Sequence, residues 1–204
     1  VPENVIADID AQGGITDSGR IYGQVSSVQE FIAEDWFRRN NSTFYSAESL
    51  DWLIAHTDHD QTGRMADRAQ LYGMEAFPLS KLTVLDGDLS ALSDPTANAV
   101  AAVYTTDDYG DPEMQSHWAK VGDSVHLRYV EAYEYYYADT GEVIPADQVG
   151  AAYDGDRPVA SRAKTYRDKE YTVAATVLVP GSLDYRFYGA DQFVMGAEQF
   201  KQDT

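Results

Sequence analysis

The chain has 204 residues, a formal net charge of −19 from 34 acidic and 15 basic residues, and no cysteine. The lack of cysteine excludes disulfides, thiolate metal sites and cysteine catalysis, and the acidity argues against nucleic acid as a partner. Hydrophobic residues make up 44% of the sequence, which is enough for a globular core in one large or two small domains.

The first half of the chain predicts short strands and two helices. VIADID and RIYGQV, on either side of a glycine-rich turn, are predicted to be strands. A helix is predicted over VQEFIAEDWFRR because its apolar residues recur at helical spacing, and a second over AESLDWLIAHT after the cap Ser46. Strands are then predicted over three further segments: MADRAQLYG, KLTVLDGDL and the apolar AVAAVYT.

The second half of the chain is predicted to be rich in strands. VHLRYVEAYEYYY alternates between two faces and predicts one long strand with a wet face. A polar excursion from Asp139 to Lys169 separates it from a return strand, EYTVAATVLVP. We expect these two strands to pair antiparallel as a long hairpin, and LDYRFYG and DQFVMGAEQF to close the chain.

These elements predict an α+β fold with two lobes. One lobe, formed by residues 1–85 with residues 180–204, has helices packed on a mixed sheet. The other, residues 86–179, is rich in strands and contains the long antiparallel hairpin.

No motif in the sequence carries catalysis or metal binding. Asp58 to Gly63 (DHDQTG) imitates the start of an EF-hand loop, but Ala69 stands where the loop needs a bidentate glutamate. The four histidines lack hydrolytic or metal-binding spacing, and nucleophile elbows, phosphate loops and dinucleotide motifs are missing. We therefore predict no enzyme activity, no cofactor and no bound metal, and a hydrolase using paired carboxylates is the least favoured class.

Two clusters are candidates for a partner or ligand surface. Tyrosine is over-represented, and four tyrosines gather at the far end of the long strand: Tyr133, Tyr135, Tyr136 and Tyr137. A basic run then reverses the local charge, with these members: Arg157, Arg162, Lys164 and Arg167. Each cluster suits recognition, but cross-strand packing of the tyrosines and pairing of the cations with neighbouring acids are favoured.

Several segments give the chain a family resemblance. They are Gly87 to Leu92, Val121 to Leu127, Tyr171 to Ala175 and the closing LDYRFYGADQFVM. In their order and spacing they resemble the extracellular domain of FtsX-type ABC transporter permeases, which is also called the MacB-like periplasmic core domain. The likeness covers roughly residues 65–200.

The resemblance implies a role without chemistry. The chain would be a single extracytoplasmic domain cut from between two membrane helices of a permease, on the extracellular face of the cell membrane. A separate cytoplasmic ABC ATPase would drive the helices, and the domain would engage a substrate, peptide or partner protein outside. The long tyrosine-rich strand favours a single-membrane bacterium.

The implied topology predicts where the two lobes and the chain ends lie relative to the membrane. The lobe that includes both ends would be membrane-proximal and the lobe of residues 86–179 distal. Val1 and Thr204 would then lie at the same end of the molecule. The alternative interpretation is an extracellular ligand-binding module for a cationic peptide or a sugar.

Overall fold

The structure is a computed structural model that describes residues 3–15, 17–24, 27–180 and 190–204. The helices are α1 Glu3–Ala11, α2 Glu34–Asn41, α3 Ala47–His56, α4 Ala76–Leu79, α5 Val149–Tyr153 and α6 Ala197–Asp203. The strands are β1 Ile21–Gln24, β2 Val28–Ile32, β3 Met65–Met74, β4 Thr83–Gly87, β5 Ala99–Thr106, β6 Pro112–Glu113, β7 Ser124–Tyr137, β8 Val159–Leu178 and β9 Asp191–Gly196. The predicted α+β class and mixed sheet are confirmed. Within these residues, no helix has the length and apolar character needed to cross a membrane.

Six of the strands close into a barrel. Around it run β8, β7, β2, β3, β9 and β5, and β5 pairs back to β8. The β3–β9 and β5–β8 pairs are parallel, whereas the remaining pairs around the ring are antiparallel. Three short strands extend this wall: β4 on β8, β6 on β5 and β1 on β3. Closure leaves the six barrel strands with few free edges, which protects them from pairing with other chains.

Apolar side chains from all six barrel strands fill the interior. Alternation along each strand points every second residue inward. Each strand contributes to one buried cluster, for example Val28, Leu71, Val100, Leu127, Val173 and Phe193. The inside of the barrel therefore holds the largest of the three buried apolar clusters of the described residues.

The C-terminal helix α6 covers one end of the barrel. Phe200 lies directly over Gly73, where a Cβ would overlap the phenyl ring, so only glycine allows this approach. The carboxylate of Asp203 accepts hydrogen bonds from the Tyr171 hydroxyl at 2.8 Å and from Lys169 Nζ at 2.6 Å. These contacts fix α6 against β3 and β8.

Strand β1, which pairs with β3 of the barrel, lies beside α6. The ring of Tyr22 in β1 stacks on Phe200 at 6.1 Å between centroids, and the backbone N–H of Arg20 donates to Glu75 at 2.9 Å. The chain therefore enters the sheet next to the helix that follows its last strand. Val1 lies outside the described residues, so the placement of both ends at one side of the molecule stays a prediction.

The long hairpin is confirmed, but one of its strands is longer than predicted. β7 and β8 pair antiparallel from Ser124 opposite Thr172 to Tyr137 opposite Val159. β8 thus begins at Val159 and not near Glu170. The polar segment joins the strand because it lies opposite the tyrosines of β7, and cross-strand pairing outweighs its composition.

Two predicted elements in the first half are wrong in type. VIADID lies in α1, since a helix satisfies its own backbone hydrogen bonds whereas a strand needs a neighbour. VQEFI forms β2, and the predicted helix begins only at Glu34, because pairing with β3 and β7 on both sides holds this segment extended. The cap at Ser46 is confirmed, because its hydroxyl accepts the N–H of Ser49 at 3.2 Å. LDYRFYG falls outside the described residues.

The division into two lobes stays a prediction. The nine strands form one sheet. Strands from the segment 86–179 and strands from outside it share the barrel wall, so the lobes cannot be read from the strand pairing alone.

Three of the segments that carry the family resemblance meet at one point of β8. The register with β5 shifts around Ala174, which makes a bulge there. The backbone N–H of Asp88 donates to the carbonyl of Ala174 at 3.0 Å, and the N–H of Gly122 donates to that of Val173 at 2.9 Å. A Cβ at Gly87 would come within 2.9 Å of the side chain of Val121. Segments that are far apart in the sequence therefore form one packed unit.

Candidate functional site

The predicted partner surface lies on the part of the hairpin that extends beyond the barrel pairings. We call this part, residues 130–137 paired with 159–166, the ribbon. The pairing slips twice between Val130 and Tyr133, and such bulges bend and twist a ribbon. Both predicted clusters lie on the ribbon or immediately beside it.

The basic residues are paired with acids across the hairpin. Arg162 Nε donates to Glu134 at 2.8 Å, and Arg167 Nε donates to Glu131 at 3.2 Å. Lys164 Nζ lies 3.9 Å from Glu134, and Arg157 Nη2 donates to Asp139 at 2.8 Å. The hydrogen bond from Arg157 holds the pKa of Asp139 below its ordinary value. The positive charge of this run is thus compensated within the chain.

The guanidinium groups also cover the tyrosine rings. Arg157 lies 3.6 Å from the centroid of Tyr137, and Arg162 lies 5.1 Å from that of Tyr136. Tyr135 meets Tyr153 of α5 edge-on at 6.2 Å. Tyr133, Tyr135, Tyr136 and Tyr137 are all half-buried. The structure therefore brings the two predicted clusters together as alternating arginine and tyrosine layers, with an outer surface that is still accessible.

The segment that imitates a calcium loop is a closed polar turn. The carboxylate of Asp60 accepts the backbone N–H groups of Thr62 at 2.8 Å and Arg64 at 2.9 Å, and Arg64 Nε at 2.9 Å. Burial raises the pKa of Asp60, but these hydrogen bonds outweigh it and lower the pKa to about 2. Within the residues that the structure describes, no three histidine, aspartate or glutamate side chains are arranged to hold a metal ion.

A groove opens at the barrel end opposite α6. It has a volume of about 430 Å³ and lies between α2 and residues 114–120. Two indoles line it, together with polar side chains: Asp35, Trp36, Arg39, Gln115, His117, Trp118 and Lys120. Arg39 covers the Trp36 ring at 4.6 Å from its centroid.

Three buried carboxylates lie beneath this groove. Glu30 of β2, Asp67 of β3 and Asp191 of β9 are 0%, 8% and 6% exposed, and we call them the acid cluster. Trp118 Nε1 donates to Glu30 Oε2 at 2.7 Å, and Trp36 Nε1 donates to Asp191 Oδ2 at 2.7 Å. Both groove indoles are thus held in place by the acid cluster.

The sequence matches no family model, and no curated protein matches it. The likeness to FtsX-type permease domains therefore rests on the motif segments alone. Those segments that the structure describes lie in β4 and the turn after it, in the turn leading into β7 and the start of β7, in β8, and in β9.

Sequence reasoning missed the acid cluster. Its members stand apart in the chain, and each is the single acid in its strand. A lone acid at an inward position of a strand is a signal that could be read from alternation. Only the pairing of β3 with both β2 and β9 brings the three together.

Proposed function

We propose that the chain is a non-catalytic extracellular domain of an ABC transporter permease. In this role it couples ATP-driven movement of membrane helices to a substrate or partner outside the cell. The observation that carries the proposal is the packed unit around the bulge of β8. The segments that resemble the permease family pack on one another there. Their order and spacing along the chain are therefore the ones that this packing needs.

Two further features of the fold suit this role. β1 and α6 lie side by side, which suits a domain inserted between consecutive membrane segments. The strands of the barrel wall run on into the ribbon, so a displacement of the barrel is passed directly to the ribbon. A stiff extension of this kind suits a domain that transmits movement.

A second candidate function is a ligand-binding module, and the groove between Trp36 and Trp118 favours it. Indole faces beside hydrogen-bonding side chains suit the apolar and polar faces of a sugar. Arg39, Lys120 and Asp35 line the same groove, so its cations outnumber its one carboxylate and disfavour a cation. Of the two ligands considered, a sugar is therefore favoured over a cationic peptide.

The location of the full-length native protein tests the first proposal. We expect it to fractionate with membranes. We also expect protease added outside intact cells to cleave within this domain while a cytoplasmic marker stays intact. Recovery of the full-length protein in the cytosol, or protection of this domain until the cells are lysed, would overturn the proposal.

Charge reversal on the ribbon tests whether its surface docks a partner. With Arg162→Glu and Arg167→Glu together, we expect complementation of a deletion strain to fall on the order of tenfold, because like charges would face any acidic partner. The matched variant adds Glu134→Arg and Glu131→Arg. Both cross-strand ion pairs are then restored, with the positive and negative partners exchanged between β7 and β8. If the ribbon docks a partner, both variants fail in complementation, although the fourfold variant keeps the thermal midpoint of the parent.

The alternative is that the arginines serve only packing. In that case the variant with Arg162→Glu and Arg167→Glu has a lower thermal midpoint, and the fourfold variant restores both the midpoint and complementation. That result would remove the ribbon from the proposed function.

A further inference from the structure

We infer that the acid cluster is a proton-binding site that makes the packing of α2, and with it the groove between Trp36 and Trp118, sensitive to pH. This inference is independent of the proposed function. It rests on three carboxyl groups that the pairing of β2, β3 and β9 places together away from water.

Two of the carboxyl groups lie close enough to share a proton. Glu30 Oε1 is buried, and no N–H or hydroxyl group of the described residues donates to it. The Glu30 side chain lies within hydrogen-bonding reach of Asp191. Two carboxylate oxygens can share a hydrogen bond only when one of them is protonated.

The groups that donate to the cluster are neutral. From α2, Asn41 Nδ2 donates to Asp67 at 3.2 Å and Asn40 Nδ2 to Asp191 at 3.5 Å, beside the Trp36 indole. From residues 117–118, the Trp118 indole donates to Glu30. Amides and indoles stabilise a carboxylate but cannot cancel its charge.

The titratable neighbours do not supply a compensating cation inside the barrel. Burial lowers the pKa of His117, and its Nδ1 accepts the N–H of Ala119 at 3.0 Å, so the ring is neutral. Tyr104 of β5 is also buried, which raises the pKa of its hydroxyl. Arg68 follows Asp67 in β3 and attracts its charge, and Arg39 lies on the groove side of Trp36. Of these groups, only Arg68 offsets part of the negative charge.

Burial raises the pKa of two members of the cluster, Glu30 and Asp67. Burial raises the pKa of Glu30 well above its ordinary value, and the charges of Asp191 and Asp67 add to the effect. Burial raises the pKa of Asp67 to about 7, although hydrogen bonds from Arg68 and Asn41 oppose the shift. A carboxyl group whose pKa is raised by folding stabilises the fold below its unfolded pKa and loses this contribution as pH rises through its folded pKa. For Asp67, stability should therefore fall from about pH 4, the unfolded pKa, towards about pH 7, the folded pKa.

Loss of the protons acts on α2 and the groove. Like charges would then face one another in a dry site, and water must enter to screen them. The Trp36 and Trp118 indoles line the groove and donate to the cluster, so they stand between the acids and solvent. We expect them to move when the cluster ionises.

The test uses Glu30→Gln and Asp67→Asn, which mimic the protonated forms. The amide introduced by Glu30→Gln would keep an oxygen for Trp118 and offer a permanent N–H to Asp191. In the parent chain, the equilibrium constant for unfolding should rise about tenfold per pH unit for each proton that unfolding releases. The tryptophan emission maximum should also shift between pH 6 and pH 8. Each substitution should flatten both changes. Glu48→Gln, the same charge change at an exposed position of α3, should leave them as in the parent.

Two results would overturn the inference. One is an unfolding midpoint of the parent chain that stays constant from pH 5 to pH 8. The other is an infrared spectrum of the parent chain at neutral pH without the band of a protonated carboxyl group. Both measurements use the parent chain, so they test the inference even if a substitution prevents folding.

Discussion

Replacing Phe193 with alanine should lower the free energy of unfolding by about 3–5 kcal/mol. Phe193 is fully buried in the barrel interior, and its ring meets the edge of His117 at 4.9 Å between centroids. The hydrogen-bonded wall around it is continuous, so the neighbouring strands cannot collapse into the space that the ring leaves. Urea unfolding at fixed pH measures the loss.

An exposed aromatic residue provides the control for this substitution. Tyr109 is 93% exposed, and Tyr109→Ala should change the free energy of unfolding by less than about 0.5 kcal/mol. A loss below about 1 kcal/mol for Phe193→Ala would mean that the barrel interior is not tightly packed.

Replacing Gly87 with alanine should cost about 3 kcal/mol or more. Gly87 has a φ of +79°, which is unfavourable for any residue with a side chain. A Cβ there would also overlap the carbonyl oxygen of Ala174 and come within 2.9 Å of the Cα of Ala175. Because these are backbone atoms of β8, the strand itself would have to shift.

Gly63→Ala separates the cost of the positive φ from the cost of the overlap with β8. Gly63 has nearly the same φ, +81°, but no atom lies within 4 Å of the position that its Cβ would take. We expect this substitution to cost only the backbone strain, about 1–2 kcal/mol. Equal thermal destabilisation by the two substitutions would show that the approach of Gly87 to β8 is not close, and the packed unit of the motif segments would lose its main contact.

The close approach of Gly87 bears on the meaning of the motif segments. Gly87, Val121 and Val173 belong to three segments that resemble the permease family, and all are engaged in packing or backbone hydrogen bonds around the bulge of β8. These residues form an architectural unit. Any role in recognition falls to the ribbon or to the groove, which lie elsewhere on the barrel.

The ribbon and the groove differ in how their charges are satisfied. On the ribbon, each arginine lies beside an exposed or half-buried acid, so the pairs are open to water and to exchange with a partner. Under the groove, the carboxylates are buried and meet only neutral donors. Salt should therefore affect the ribbon more strongly, and pH the groove.

The sequence by itself determined the elements whose patterns are local. Strict alternation from Val125 to Tyr137 predicted β7, the apolar run AVAAVYT predicted β5, and Ser46 marked the start of α3. In each case the deciding information lies within a few residues, because side-chain periodicity and a cap hydrogen bond depend on near neighbours.

Only the tertiary structure decided the remaining features. VQEFI satisfies a helical and an extended pattern equally well, and partners on both sides made it β2. The polar start of β8 became a strand because β7 lies opposite it. The acid cluster exists because β3 pairs with β2 on one side and with β9 on the other, so that Glu30 and Asp191 meet from distant parts of the chain. Such contacts depend on pairing between residues far apart in sequence, and no local pattern encodes which strands will become neighbours.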